Sequence, residues 1–196
     1  MSDLISLKCT ECSGSLTGEN NSRVFFCRLC SSSYYVYQNS LRRFPLHYIE
    51  PAAQNLTQQK TVYFPFWQIE SQYKVQSKES DWGYSGAGIF YIPAFFIRNI
   101  DYFGDIGYYY MQKKVILKPG KPQDLPILPA DRGLKTAAKY PLIYLYKAET
   151  LRRKGEGLDI NVKHKDFSVI LIPFYKTGFD YVDAVLSWKY PPGALV

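Results

Sequence analysis

Cys9, Cys12, Cys27 and Cys30 form two Cys-x-x-Cys pairs 14 residues apart, and the chain has no other cysteine. A tetrahedral metal takes four thiolates at about 2.3 Å, and a Cys-x-x-Cys turn sets two sulfurs on one side of a tight knuckle, so two such turns can close the shell. Four thiolates leave no open position for water or substrate, so the expected role of the metal is to hold the fold. Two disulfides would use the same residues. However, Met1-Ser2-Asp3-Leu4 shows no charged-then-apolar leader, and the 166 residues after Cys30 lack cysteine. A redox pair belongs beside a βαβ pattern, whereas these pairs lie in hairpin-like sequence; a rubredoxin-type iron site shares the ligands but usually has a longer separation. Structural Zn2+ is the expected occupant.

The elements that must carry these ligands are short. Leu7-Lys8-Cys9-Thr10-Glu11-Cys12-Ser13-Gly14-Ser15-Leu16, Val24-Phe25-Phe26-Cys27-Arg28-Leu29-Cys30 and Tyr34-Tyr35-Val36-Tyr37 together resemble a zinc ribbon, a zinc-finger class that seats two knuckles on β-hairpins. The resemblance covers about residues 5 to 38 and implies a metal site without implying one activity. Gly14 follows its knuckle by two positions, and Ser31-Ser32 replaces the glycine that often follows the second, so a less regular second knuckle is expected. The chain divides into a ribbon (1–40), a linker (41–60) and a β-rich α+β domain (61–196).

Hydrophobic residues make up 46% of the 196 residues and aromatics 17%, enough for a core and too many for disorder. Eighteen tyrosines and twelve phenylalanines against two methionines favour strands, because aromatic side chains fit a pleated, half-buried surface. No apolar run approaches the roughly 18 residues that span a bilayer, so a soluble cytoplasmic protein is expected. The net charge of +7 resides in the body: residues 1–50 hold five Lys/Arg against four Asp/Glu, and residues 51–196 hold nineteen against thirteen. Lys113 and Lys114 lie near Lys118 and Lys121, and Arg152, Arg153 and Lys154 precede Lys163 and Lys165. Lys113, Lys114, Arg152, Arg153 and Lys154 are the candidate nucleic-acid contacts, although clustered cations more commonly belong to solvated loops.

Leu41 to Ala53 is broken by Pro45 and Pro51 and reads as connector, open to limited proteolysis as far as Gln59. Thr61–Val75 reads as a strand with period-two alternation from Trp67 on, and Pro65 marks a bulge, bend or edge. Asp81–Gly88 is a glycine-rich turn before a strand at Ile89–Ala94, without the ending of a phosphate loop. A helical pattern runs from Pro93 through Phe96, Ile100 and Phe103, a strand from Tyr108 to Leu117, and a second helix from Ala130 to Lys139, ended by Pro141. Leu142–Lys147, Leu158–Val162, Phe167–Phe174 and Tyr181–Trp188 read as further strands. The architecture expected is therefore α+β and β-rich, a mainly antiparallel aromatic sheet with one or two helices.

Val62-Tyr63-Phe64-Pro65-Phe66-Trp67 and Ile170-Leu171-Ile172-Pro173-Phe174-Tyr175 match at an offset of 108 residues. An internal pseudo-repeat would set these two units side by side about a pseudo-twofold axis. Catalytic company is scarce. His47 and His164 have no ligand or triad partner near them in sequence, Asp101 and Asp105 share one face of the possible first helix, and no Gly-x-Ser-x-Gly, His-Glu-x-x-His or phosphate-loop motif occurs. The expected function is non-enzymatic: a protein-interaction or assembly module presenting aromatic and ribbon surfaces. The alternative is a nucleic-acid binder that combines basic loops with aromatic stacking.

Overall fold

The centre of the fold is made by two runs of consecutive apolar residues, Tyr63–Trp67 and Val169–Phe174, buried on both faces of one sheet. Strands covered on both sides lose the alternation of a half-exposed strand, which is why these stretches read as unbroken apolar sequence. The structure is a computed structural model and describes residues 7–38, 40–51, 61–97, 105–153, 157–178 and 180–190.

Its strands are β1 (Val24–Cys27), β2 (Ser32–Tyr37), β3 (Ser40–Ile49), β4 (Thr61–Ser77), β5 (Gly83–Pro93), β6 (Pro119–Gly120), β7 (Leu158–Thr177), β8 (Asp180–Asp183) and β9 (Lys189–Tyr190). Helices are α1 (Ile106–Lys113), the single turn α2 (Leu134–Ala137) and α3 (Tyr140–Arg152). The main sheet runs β1-β2-β3-β7-β4-β5, antiparallel except for the β3–β7 pair, with β6 on β3 and β8–β9 added to β7. This is the expected β-rich α+β architecture. One face carries Trp67, Ile69, Val169 and Leu171 against Tyr144 and Leu145 of α3. The other stacks Phe64, Phe66, Ile170 and Phe174 against Ile106 and Tyr110 of α1.

The two aromatic-proline units lie side by side. In the antiparallel β4–β7 pair, Phe64 faces Ile172, so Pro65 and Pro173 each follow the central pair by one residue. Each proline also lies one position beyond the neighbouring hairpin strand, where its carbonyl accepts from the amide of Ala94 or Ala184. Carbonyl and amide of one strand residue point the same way, so the missing N–H faces a strand end and no β4–β7 ladder bond is lost. The ladder's bulge lies elsewhere, between Glu70 and Ser71.

Several expectations fail for physical reasons. Residues 41–49 are strand, not connector: β3 pairs with β2 through Ser40–Pro45 and with β7 through Leu46–Tyr48, so one strand serves both the hairpin and the body. Pro45 is tolerated because it closes the β2 pairing one residue before the β7 pairing starts. The end of that linker, residues 52–60, and the candidate helical residues Ile100, Asp101 and Phe103 lie outside the described residues. The glycine-rich stretch from Gly83 is itself β5, not a turn. Tyr108–Lys113, read as strand, belongs to α1, whose N-cap Asp105 accepts from the Gly107 amide at 2.8 Å. Pro141, taken as a stop, occupies the first turn of α3, where its missing N–H costs nothing, and Leu142–Lys147 is helix.

Candidate metal centre

The first knuckle is built by backbone geometry. Lys8 bridges Ser15, the Cys9 amide donates to the Gly14 carbonyl at 2.8 Å, and the Ser13 amide to the Cys9 carbonyl at 2.9 Å. Ser13, directly after Cys12, is left-handed at φ 58°, and Ser31, directly after Cys30, at φ 50°. Both knuckles thus end in a left-handed serine. At Gly14 a Cβ would stand 2.7 Å from Leu29 Cδ1 and 3.3 Å from Cys12 Sγ, so a side chain here would have to displace the exposed tip of Leu29 and press on the Cys12 sulfur.

The four thiols, all free, converge. All four sulfurs lie within 4.8 Å of one another, with Cys9–Cys30 and Cys12–Cys27 at 3.4 Å each. A tetrahedral shell at about 2.3 Å from its metal has sulfurs about 3.8 Å apart, inside this range. The cluster can therefore hold a metal ion. Cys9 and Cys27 are buried, Cys30 is half-buried and Cys12 is exposed.

Residues outside the cysteines tune the sulfurs, and the Cys-x-x-Cys pattern gave no sign of them. Tyr34, fully buried, sets its hydroxyl 3.1 Å from Cys9 Sγ and 3.1 Å from Thr10 Oγ1. Burial pushes the Cys9 thiol up, but the Tyr34 hydroxyl and the amides of Cys12 and Glu11 outweigh it and hold the thiol down to about 6. Cys30 Sγ lies 3.4 Å from Ser32 Oγ, which accepts from Arg43 Nε at 3.2 Å, and Arg43 pairs with Glu11 of the first knuckle at 3.3 Å. Hydroxyls aimed at thiolates stabilise their charge, and such outer partners fix ligand orientation. Tyr34→Phe keeps the ring and removes only the hydroxyl. It is expected to leave the fold intact and weaken metal binding about tenfold, read by competition with a chelator of known affinity.

The centre is anchored to the body. Arg28 in the second knuckle pairs with Asp124 and donates to the Leu125 carbonyl at 3.3 Å. The Arg23 and Val24 amides donate to the Ala130 carbonyl at 2.6 and 3.1 Å. Tyr35 of β2 and Phe44 of β3 pack edge-on against Trp67 of β4, with centroids 5.8 and 5.4 Å away.

The other candidate residues do not gather into one site. Lys113 occupies the last turn of α1 and Lys114 its left-handed C-cap, positions where a cation complements the helix dipole. Arg152 and Arg153 turn back onto Glu149, at 3.2 and 3.4 Å, and Arg153 also lies 3.5 Å over the Trp82 ring. Glu149 is itself buried and accepts from the Tyr84 hydroxyl at 2.9 Å. Lys154 lies outside the described residues. His47 is exposed on β3, and His164 hydrogen-bonds Ser71 at 2.9 Å within the β4–β7 arm. Asp105 serves as the α1 cap, and among the described residues no helix is long and apolar enough to cross a membrane.

Comparison of the chain with protein-family models, curated proteins and solved structures finds no match. The centre is therefore interpreted from its own geometry.

Proposed function

We propose that the protein is a zinc-stapled assembly module that acts by binding other protein surfaces and has no catalytic chemistry of its own. The observation that carries this reading is on α3. Leu142, Ile143, Tyr146 and Leu151 are 42%, 51%, 51% and 65% exposed along its outer side. Leu142, Ile143 and Tyr146 adjoin one another beside Leu158 and Ile160, and apolar residues left about half exposed together mark an interaction site. The aromatics of the two central strands, in contrast, lie in the core. Phe64, Phe66, Trp67 and Phe174 have no exposed surface and offer no platform to a base. Zinc fits the metal centre because four thiolates close the shell and the surrounding residues are a structural hairpin. Elemental analysis distinguishes it from iron, which would also colour the protein.

One observation favours nucleic acid instead. The cleft between ribbon and body is lined by Arg23, Arg132 and Lys135 together with Tyr35 and Tyr140, and Phe96 there is 54% exposed. Salt separates the two readings, because phosphate contacts release counterions and weaken steeply as salt rises, whereas apolar contacts do not. The protein is expected to lose mixed single-stranded nucleic acid near 0.15 M salt, roughly the physiological value, while retaining a protein partner captured from lysate. Nucleic-acid binding that survives this wash and is lost on Arg23→Ala with Lys135→Ala reverses the order.

A further inference from the structure

The outer edge of β7 is unevenly used. β4 runs along one side of the whole strand, while on the other side β3 pairs with Val169–Leu171 and β8 with Phe174–Thr177. Among the described residues no strand pairs with the outer side of Leu158–Phe167. An open edge offers unpaired amides and carbonyls to any strand that approaches.

The edge also has a built-in end. At the Glu70/Ser71 bulge β4 pairs with Asp166 and then with His164, so Lys165 is the extra residue, and the Phe167 amide is taken by the Asp166 carboxylate at 2.8 Å. A bulge twists an edge and terminates pairing. The usable ladder is Leu158–His164. Within it Leu158, Ile160 and Val162 face the core side beneath α3, and Asp159, Asn161 and Lys163 are exposed on the other face.

This segment is complementary to itself. Paired antiparallel with a second copy about an axis through Asn161, Ile160 meets Val162 and Asp159 meets Lys163, each twice. Residues directly opposite in an antiparallel pair share a face, so the apolar pairs lie on the α3 side and the opposite charges on the wet side. Neither Asp159 nor Lys163 forms an ion pair with another described residue. A lysine on an open edge ordinarily discourages pairing, and here an aspartate four residues earlier supplies the matching charge from the second copy. Centring the pair on Val162 would instead require Lys165, which the bulge displaces. Beside the edge, Leu142, Ile143 and Tyr146 of α3 form a mostly apolar groove with Leu158 and Ile160, with Lys147 and Asp159 also lining it. In the twofold arrangement this groove and its mate lie over the same joined sheet.

We propose that β7 is a dimerisation edge and that its occupant is the Leu158–His164 segment of a second copy, joining two sheets into one across an isologous interface. The proposal deepens the assembly reading by naming one partner. Its test uses the whole, metal-loaded protein in sedimentation velocity over a concentration series. Wild type is expected to dimerise. Asp159→Lys or Lys163→Asp replaces two attractive cross-strand pairs by two repulsive ones and is expected to weaken the dimer on the order of 30-fold. Mixing the two single variants restores both attractive pairs in a heterodimer, and so does the double reversal in one chain. That recovery also shows that neither variant is misfolded. A monomeric wild type, or reversals without effect, or a mixture that stays monomeric overturns the proposal. A monomer that still captures a salt-resistant protein through α3 overturns the dimer alone and leaves the assembly reading standing.

Discussion

Replacing Cys27 by serine, or stripping the metal with a chelator, is expected to abolish hydrogen-exchange protection across residues 7–38 while β4, β5 and β7 stay protected. The cause is the size of the local core. Val24 and Phe26 pack into the main core, and the segment's own cluster is Cys9, Leu16, Phe25, Cys27 and Tyr34, two of the five being cysteines of the candidate metal centre. A segment this short buries too little apolar surface of its own to repay its conformational entropy, and on the proposed reading a structural metal would supply the difference, about 10 to 16 kcal/mol in isolated zinc fingers. Cys27 is fully buried at the end of β1, so a serine there removes a ligand and leaves a hydroxyl without its metal. Body strands have their own seventeen-residue β4–β7 ladder and should lose only the pairing that β3 brings. Exchange mass spectrometry with and without chelator reads both parts. Protection of residues 7–38 that persists without metal would show that the shell is not what holds the hairpin.

Trp67→Ala is expected to lower the stability of the whole chain by about 4 kcal/mol, the usual cost of emptying a buried aromatic site. Trp67 has no exposed surface, and its Nε1 donates to the Arg132 carbonyl at 2.9 Å, so the substitution opens a cavity and leaves a buried acceptor unpaired. Its edge contacts to Tyr35 and Phe44 add a second effect. These rings are the aromatic hold of β2 and β3 on β4, so exchange in β2 and β3 should rise more than exchange in α1, whose Ile106 and Tyr110 pack on the opposite sheet face. Trp67→Phe keeps most of the packing and is expected to lose less than half as much. Equal losses for both variants, or an effect confined to β4, would contradict this account. Chemical denaturation gives the total, and residue-level exchange gives its distribution.

Both substitutions act where short-range and long-range information meet. The four-cysteine cluster was legible in the sequence because a Cys-x-x-Cys turn is a local object: four consecutive residues place two sulfurs, and the chain between the pairs need only return. The central strands were legible for a similar reason, since Tyr63–Trp67 and Val169–Phe174 are apolar throughout and interrupted only by proline, a pattern suited to a strand covered on both faces. Their pairing could be anticipated from the repeated aromatic-proline unit, and the register places Phe64 opposite Ile172, 108 positions on.

Tertiary structure alone decided the rest. Tyrosine-rich segments such as Tyr108–Tyr110 and Tyr140–Tyr146 have strand propensity, yet both are helical. Asp105 caps the first, Pro141 starts the second, and each lays tyrosines against a sheet face that only the assembled strands create. Residues 41–49 contain a proline and two adjacent arginines, and the proline makes them read locally as a connector. They become β3 because β2 on one side and β7, more than a hundred residues later, on the other supply the hydrogen-bond partners. The hydroxyls of Tyr34 and Ser32 near the sulfurs, and the Glu149 carboxylate that takes up Arg152 and Arg153, likewise follow from register and helix packing. Which cysteines come together is written in spacing along the chain, whereas the partners of each cysteine, strand and charge depend on which distant segments share a face.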